Sequence, residues 1–249
     1  MSITLSPRNQ VAAKLYDFYN KTLKQSTTTK QKARNSELFR SVFNIESSKP
    51  RHLNMFLRNI ERLTNEVDCS EYTLRRSGPS DETEEQRLKR QRQDGANKIK
   101  GDLFEIYTYV YLQLFGAVSG VFDCEFASYD QIGYDFIGVN HAKNPCVVQS
   151  KFVGNFNTVF GADESGNRIG SLETFFSNLP EGFVIKSKQT SRVLVTTARK
   201  IHSYYTSLAR TDKTFEIHDF KKLAKRTNND GFWAVVSRYS SSFFQPLQS

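Results

Sequence analysis

Between Gly133 and Phe152 the chain carries two short apolar runs parted by a polar turn, the feature that most constrains its fold. The first, Tyr134 to Val139, contains Phe136 and Ile137. The second, Cys146 to Phe152, contains Val147 and Val148, and His141 to Pro145 lies between them. Runs of this length, rich in β-branched and aromatic residues and bounded by Gly and Pro, predict two strands joined by a reversal. Polar residues interrupt them: Asp135 at the start of the first, and Gln149, Ser150 and Lys151 in the second. Side chains at i and i+2 of a strand share a face, so Gln149 and Lys151 converge on one side of the sheet. A lysine in an apolar strand is costly to bury unpaired, and Asp135 across the hairpin is its expected partner.

The flanking sequence predicts the elements around this hairpin. Ile99 to Phe115 has a broad apolar helical face (Leu103, Phe104, Tyr107, Val110, Tyr111, Leu114) ending at Gly116. Val118–Phe126, Arg192–Thr196 and Phe215–Asp219 read as strands. Leu172–Leu179 and Ile201–Arg210 read as helices, and Phe220–Lys225 as the start of a last helix. This order predicts an α/β fold with a mixed central sheet flanked by helices.

Upstream, Leu15, Phe18, Tyr19 and Leu23 have helical spacing, as do Leu53, Phe56, Leu57, Ile60 and Leu63; the Thr-rich stretch Gln25–Lys32 reads as a loop. Ser77-Gly78-Pro79-Ser80, then the acidic Asp81 to Glu85, suggest a linker near 75–85. Residues 1–85 are therefore expected to form a mainly helical basic N-terminal region, and 86–249 a second domain. The segment Arg87 to Arg92 suits a phosphate-binding or nuclear-import patch, or simply the exposed start of a helix.

Net charge is +9 and unevenly placed. Residues 1–100 hold 20 Lys/Arg against 12 Asp/Glu, a net of +8; residues 101–249 hold 15 against 14, a net of +1. A basic region beside a near-neutral domain suits contact with phosphates, which carries no sequence information by itself. The alternative is a solvated basic surface that serves solubility. Hydrophobic residues at 38% and aromatics at 13% supply a packed core and exclude wholesale disorder. No run approaches the roughly 18 apolar residues of a spanning helix, and Met1–Gln10 has no apolar core. The expectation is an intracellular protein without membrane contact, cytoplasmic, or nuclear in a eukaryote. Cys69, Cys124 and Cys146 form neither a disulfide framework nor a zinc spacing, and no pair among His52, His141, His202 and His218 sits at i, i+4.

An acid on one strand, an oxygen ligand on its neighbour and a nearby lysine are what metal-assisted phosphodiester hydrolysis asks of a protein. The metal activates water and stabilises the leaving oxyanion, and the substrate phosphate completes its coordination.

The ordered set Gly101-Asp102-Leu103-Phe104-Glu105, Gly133-Tyr134-Asp135-Phe136-Ile137-Gly138, Gln149-Ser150-Lys151 and Val193-Leu194-Val195-Thr196-Thr197-Ala198 resembles the PD-(D/E)XK nuclease superfamily. Within it, the QxK form of the second hairpin strand is similar to the Mrr-like restriction endonuclease branch. Phe215 to Leu223 looks like the family's terminal strand and helix, so the similarity covers about residues 98–228. The resemblance implies a restriction-endonuclease-like sheet and a DNA endonuclease using Mg2+ or Mn2+. It implies Asp135 and Gln149 as metal ligands, Lys151 as the water-positioning and charge-stabilising residue, and Glu105 acting from the preceding helix as a further ligand or through a metal-bound water. Tyr134 departs from the small residue often found there.

Plainer readings stand beside these. Asp135 suits a strand-start turn, Gln149 and Lys151 the polar stripe of an edge strand, and Glu105 the surface of a helix; Ser128, Tyr129 and Asp130 suit a DNA contact or a plain loop. For the whole chain the alternatives are a catalytically silent nuclease-fold module for DNA binding or docking, and a Holliday-junction-type resolvase, which would need a homodimer. The aromatic end Phe243-Phe244 suits either a terminus or a junction with a helicase or another DNA-processing domain.

Overall fold

The computed structural model describes residues 10–45, 51–72, 81–127, 133–155, 157–163, 165–169, 172–177 and 190–244, so Ser128, Tyr129 and Asp130 lie outside the described residues. In chain order these residues form α1 (Gln10–Gln25), α2 (Thr29–Phe43), α3 (His52–Glu66), α4 (Glu84–Leu114), α5 (Gly116–Ser119), β1 (Phe122–Phe126), β2 (Phe136–Val139), β3 (Pro145–Lys151) and β4 (Val159–Phe160). There follow α6 (Glu173–Ser177), β5 (Ser191–Thr196), β6 (Lys200–Ile201), α7 (Ser203–Thr211), β7 (Phe215–His218), α8 (Phe220–Thr227) and α9 (Asp230–Phe244). They make two compact units, a helical one within Thr4–Ile106 and Asn228–Ser249 and a sheet unit centred on Tyr107–Thr227. The sequence places a boundary at 85/86; along the chain the units meet at 106/107, inside α4, and at 227/228.

In the helical unit, two helix starts are set by threonine caps. Thr28 Oγ1 accepts the Gln31 N–H at 3.1 Å, so α2 begins inside the stretch expected to be a loop. Thr83 and Gln86 form a reciprocal capping box: Gln86 N–H donates to Thr83 Oγ1 (3.3 Å) and Thr83 N–H to Gln86 Oε1 (2.8 Å). The helix expected from Ile99 therefore starts fifteen residues earlier, at Glu84. The arginines in its first turns pair with nearby acids. Arg87 meets Glu84, Arg90 grips Glu82 through two hydrogen bonds of 2.9 and 2.8 Å, and Arg92 lies 3.6 Å from Asp68.

α9 packs against α1 and α2, with buried Trp233 on Phe56 at a ring separation of 5.2 Å. Its start is held to that of α3 by His52 Nε2, 2.7 Å from Asp230 Oδ1, and by the Leu53 N–H on Asn228 Oδ1 at 3.0 Å. Asp102, 0% exposed, is ion-paired to Lys98 one turn earlier and accepts the Tyr72 hydroxyl at 2.7 Å.

The sheet unit holds a five-stranded mixed sheet in the order β1-β2-β3-β5-β7. β1, β2 and β3 form an antiparallel meander, and β3, β5 and β7 are parallel. The expected α/β class with a mixed sheet flanked by helices is what the structure has. The strand expected from Val118 starts at Phe122, because residues 116–119 close a short helical turn that Gly120 ends at φ +68. The hairpin reverses at Asn140, whose Oδ1 accepts the N–H groups of Ala142 (2.9 Å) and Asn144 (3.0 Å). β4 and β6 form a separate parallel pair. Among the described residues no helix is long and apolar enough to cross a membrane.

Register and alternation put Val147, Gln149, Lys151, Leu194, Thr196 and Ile217 on one sheet face. Val147, Leu194 and Ile217 pack there with Phe175 of α6 and Tyr205 of α7. The opposite face carries Ser150, Val195 and His218, and α4 meets it through Thr108 Oγ1, 3.0 Å from Ser150 Oγ.

Asp102→Ala leaves Lys98 and the Tyr72 hydroxyl without their acceptor and is expected to cost about 3 kcal/mol, the lower end for one member of a buried pair. Urea unfolding followed by tryptophan fluorescence measures it, since Trp233 sits in the same unit. A loss under about 1 kcal/mol contradicts the structural role given to Asp102.

Candidate functional site

Asp135 is delivered to the sheet by a glycine and an anchored tyrosine. Gly133 has φ +100, and a side chain there would bring a Cβ within 2.7 Å of the Thr174 carbonyl oxygen, so both backbone angle and space require glycine. Tyr134 is buried in the core cluster with Leu172 and Phe175. The Asp135 backbone then joins the ladder, its N–H donating to the Val148 carbonyl (2.8 Å) and its own carbonyl accepting the Ala127 N–H (2.9 Å). One step beyond the Phe136–Val148 pair, Asp135 stands across from Gln149. Its Oδ2 accepts the Ser150 N–H at 2.6 Å and so closes the end of the hairpin.

Gln149 is 4% exposed, and its Oε1 is buried with no hydrogen-bond donor among the described residues. An unsatisfied buried oxygen costs about 1–3 kcal/mol, so a side chain held this way normally has a further partner. Lys151, two residues on and on the same face, is half-buried at the end of β3. The expected Asp135–Lys151 ion pair is not formed among the described residues, where no hydrogen bond or ion pair engages the Lys151 ammonium. The physical reason is the strand's end. An ammonium on a four-carbon stem reaches water from there and needs no carboxylate to offset burial, and one oxygen of Asp135 is turned to the backbone. The edge-strand alternative for Gln149 and Lys151 does not fit, because β3 has β2 on one side and β5 on the other.

Two threonines that the sequence showed only as part of a strand motif hold the chain leaving the site. Thr196 Oγ1 donates to the Lys151 carbonyl at 2.9 Å and accepts the Ala198 N–H at 3.1 Å. Thr197 Oγ1 accepts the Val153 N–H at 2.6 Å and donates to the Val153 carbonyl at 3.1 Å. Both threonines are buried. Consecutive threonines ending an apolar strand were the available signal; that they grip the neighbouring strand's exit follows from the parallel pairing of Lys151 with Thr196.

The structure thus brings Asp135, Gln149 and Lys151 together at the carboxyl end of β3. Glu105 lies on α4 one turn before Thr108 and is half-buried. Among the described residues no three His, Cys, Asp or Glu side chains gather as a protein-only metal cage would require. The cysteines are all buried and free, and burial pushes the Cys69 and Cys146 thiols up to about 12, far from a reactive thiolate.

A second polar cluster occupies the opposite sheet face. The Tyr111 hydroxyl is hydrogen-bonded to His218 Nδ1 at 2.7 Å. His218 Nε2 lies 3.0 Å from Glu216 Oε1 but out of line for a hydrogen bond, and Lys222 Nζ is 3.2 Å from the same oxygen. Burial works to raise the Glu216 carboxyl, but His218 and Lys222 outweigh it and hold the group below its ordinary value. Nothing in the sequence linked these residues, which come from α4, β7 and α8.

The chain matches no protein-family model, no curated protein and no solved structure.

Thr197→Val keeps the shape of the side chain and removes both bonds to Val153. It is expected to lower stability by about 1–3 kcal/mol and to speed amide exchange at Val153, leaving exchange at Val148 in mid-strand unchanged. Unaltered exchange at Val153 contradicts the clamp.

Proposed function

We propose that this chain is a metal-dependent DNA endonuclease of the PD-(D/E)XK type, close in its QxK form to the Mrr-like branch, with a restriction-endonuclease-like sheet unit. The observation that carries the reading is the buried Oε1 of Gln149, which has no donor among the described residues and lies across the hairpin from the Asp135 carboxylate. A cation is the partner that satisfies such an oxygen beside a carboxylate.

Asp135 and Gln149 fit as the protein's share of a Mg2+ or Mn2+ site, hard cations that take few protein oxygens and leave the rest to water and phosphate. The metal, when bound, supplies Lewis-acid stabilisation of charge on the phosphate. Asp135 contributes the one full negative charge on the hairpin and Gln149 a neutral oxygen. Lys151, on the same face and with its ammonium unengaged among the described residues, orients water toward the phosphorus and offsets the developing negative charge. Val147 and Leu194 pack beneath the group and fix it on sheet rather than loop. The reading rests on these three residues; Glu105 is not needed for it.

A second reading, a silent nuclease-fold module that binds DNA, draws on one specific observation. One Asp135 oxygen is already committed to the Ser150 N–H, which reduces what the carboxylate can offer a metal.

The same assay decides between them. Supercoiled plasmid with Mg2+ or Mn2+ is expected to be nicked by the wild type. Asp135→Ala and Lys151→Ala should each lower the rate by at least about 100-fold, the scale of losing one preorganised charge-stabilising group, with DNA affinity largely kept. Nicking by either variant at near wild-type rate removes the assignment, and no nicking by wild type on any DNA form favours the silent module.

A further inference from the structure

We infer that the exposed Tyr204–Arg168 pair is a stacking platform for unpaired bases, placed at the same sheet edge as Asp135, Gln149 and Lys151, so that the chain takes DNA with a locally single-stranded segment. The choice of DNA rests on the nuclease reading; the platform stands on its own geometry.

Tyr204 is 46% exposed and sits in the first turn of α7, with the Arg168 guanidinium 4.4 Å from its ring centroid. Ile169, beside Arg168, is 42% exposed. Two exposed large side chains here adjoin a cation. The pair is not needed to hold the 159–169 segment in place. That segment is already secured by pairing of β4 with β6, by the Tyr205 hydroxyl on the Ile169 carbonyl at 2.8 Å, and by Gly161, whose φ of +83 lets the backbone lie against the Tyr205 ring. An exposed cation–π contact adds only about 0.5–1 kcal/mol, so its structural value is small.

Position gives the pair its meaning. In the parallel β5–α7–β7 crossover, α7 begins at the edge where β5 ends, and Lys151 pairs with Thr196 at that edge. α7 also covers the sheet face that bears Gln149 and Lys151, through Tyr205. Tyr204 follows Thr197 by seven residues, which limits their separation to about 25 Å even for extended chain. Ligands of open parallel sheets bind outside the carboxyl ends of the strands.

Exposed cations gather there, with Asp163 and Asp219 as the nearby acids. Lys200 is exposed between Thr197 and Tyr204, with Arg168 beside the Tyr204 ring, while the exposed Arg199 lies over the Phe220 ring at 4.4 Å. The nearby Asp163 is turned into its own loop, its two carboxylate oxygens taken by the Asn167 N–H (2.7 Å) and side-chain amide (3.2 Å). Cations beside a half-exposed tyrosine, which already stacks one guanidinium, are a surface that single-stranded nucleic acid recognises, since every base offers a π-face.

The test uses the full chain in EDTA, so that nothing is cut, with fluorescence anisotropy of a labelled thymidine oligonucleotide, an abasic oligonucleotide of equal length, and a duplex. Tyr204→Ala is expected to weaken the thymidine strand by about 5- to 100-fold, the range for one stacked base, and to leave the abasic strand and the duplex unchanged. Tyr204→Phe should restore binding, and Arg168→Ala should reduce the salt slope on single strands by about 0.7. Unchanged thymidine binding by Tyr204→Ala overturns the platform. So does an equal loss on the abasic strand, failure of Tyr204→Phe to restore binding, or competition by polyglutamate as strong as by the oligonucleotide, which would make this an acidic-peptide site. Because no metal is present, these results are independent of plasmid nicking: nicking that survives Asp135→Ala removes the nuclease reading alone, and unchanged thymidine binding removes the platform alone.

Discussion

The carboxyl end of β3 is closed from both sides by bonds that do not belong to the regular ladder. On one side the Asp135 carboxylate takes the Ser150 N–H; on the other Thr196 and Thr197 take the Lys151 carbonyl and both polar groups of Val153. These bonds fix where the strand stops, and therefore which side chains stand at its end and on which face. Val147, two residues before Gln149, and Leu194, its register partner on β5, belong to the core cluster on the same face. Gln149 is 4% exposed, and its buried oxygen has no donor among the described residues. That combination of rigid placement and unmet bonding capacity is what distinguishes a ligand position from a polar residue resting on a surface.

The hairpin and the strands after it were legible because their apolar runs are short, sharply bounded and paired with neighbours close in sequence. Tyr134 to Val139 and Cys146 to Phe152 predict β2 and β3 to within two residues at each end. The first half of α4 was not legible through periodicity, because Glu84 to Lys98 carries few apolar residues. Its start is written in the Thr83–Gln86 capping box, which looks like part of an acidic linker until the reciprocal bonds are seen. Thr28 hid the start of α2 in the same way. α9 was missed for a different reason: it packs on α1 and α2, and its Trp233 meets Phe56 of α3, partners far upstream in the sequence.

At the site, shared orientation of Gln149 and Lys151 followed from strand alternation, and Asp135 opposite Gln149 followed from the hairpin. The unpaired Gln149 oxygen could not be foreseen, since it depends on every donor within reach. Nor could the absence of the Asp135–Lys151 pair, which turns on β3 ending at Lys151 and not running deeper into the core. Charge counting also misleads locally. The arginines from Arg87 to Arg92 look like an exposed phosphate-binding run, yet Glu84, Glu82 and Asp68 meet three of them. Residues 101–249 carry a net of only +1, yet Arg168, Arg199 and Lys200 among them are all exposed.

The assignment of Gln149 as a metal-facing oxygen is tested most directly by calorimetric titration of Mn2+ into the chain without DNA. A site with one carboxylate and a neutral carboxamide, beside a lysine, should bind the ion weakly until a phosphate completes the coordination. Gln149→Glu supplies the missing charge and should tighten metal binding by about tenfold or more, equivalent to roughly 1.4 kcal/mol, while Gln149→Leu should abolish it. Equal Mn2+ affinity in wild type, Gln149→Glu and Gln149→Leu would contradict the assignment and leave the buried oxygen without a metal to explain it.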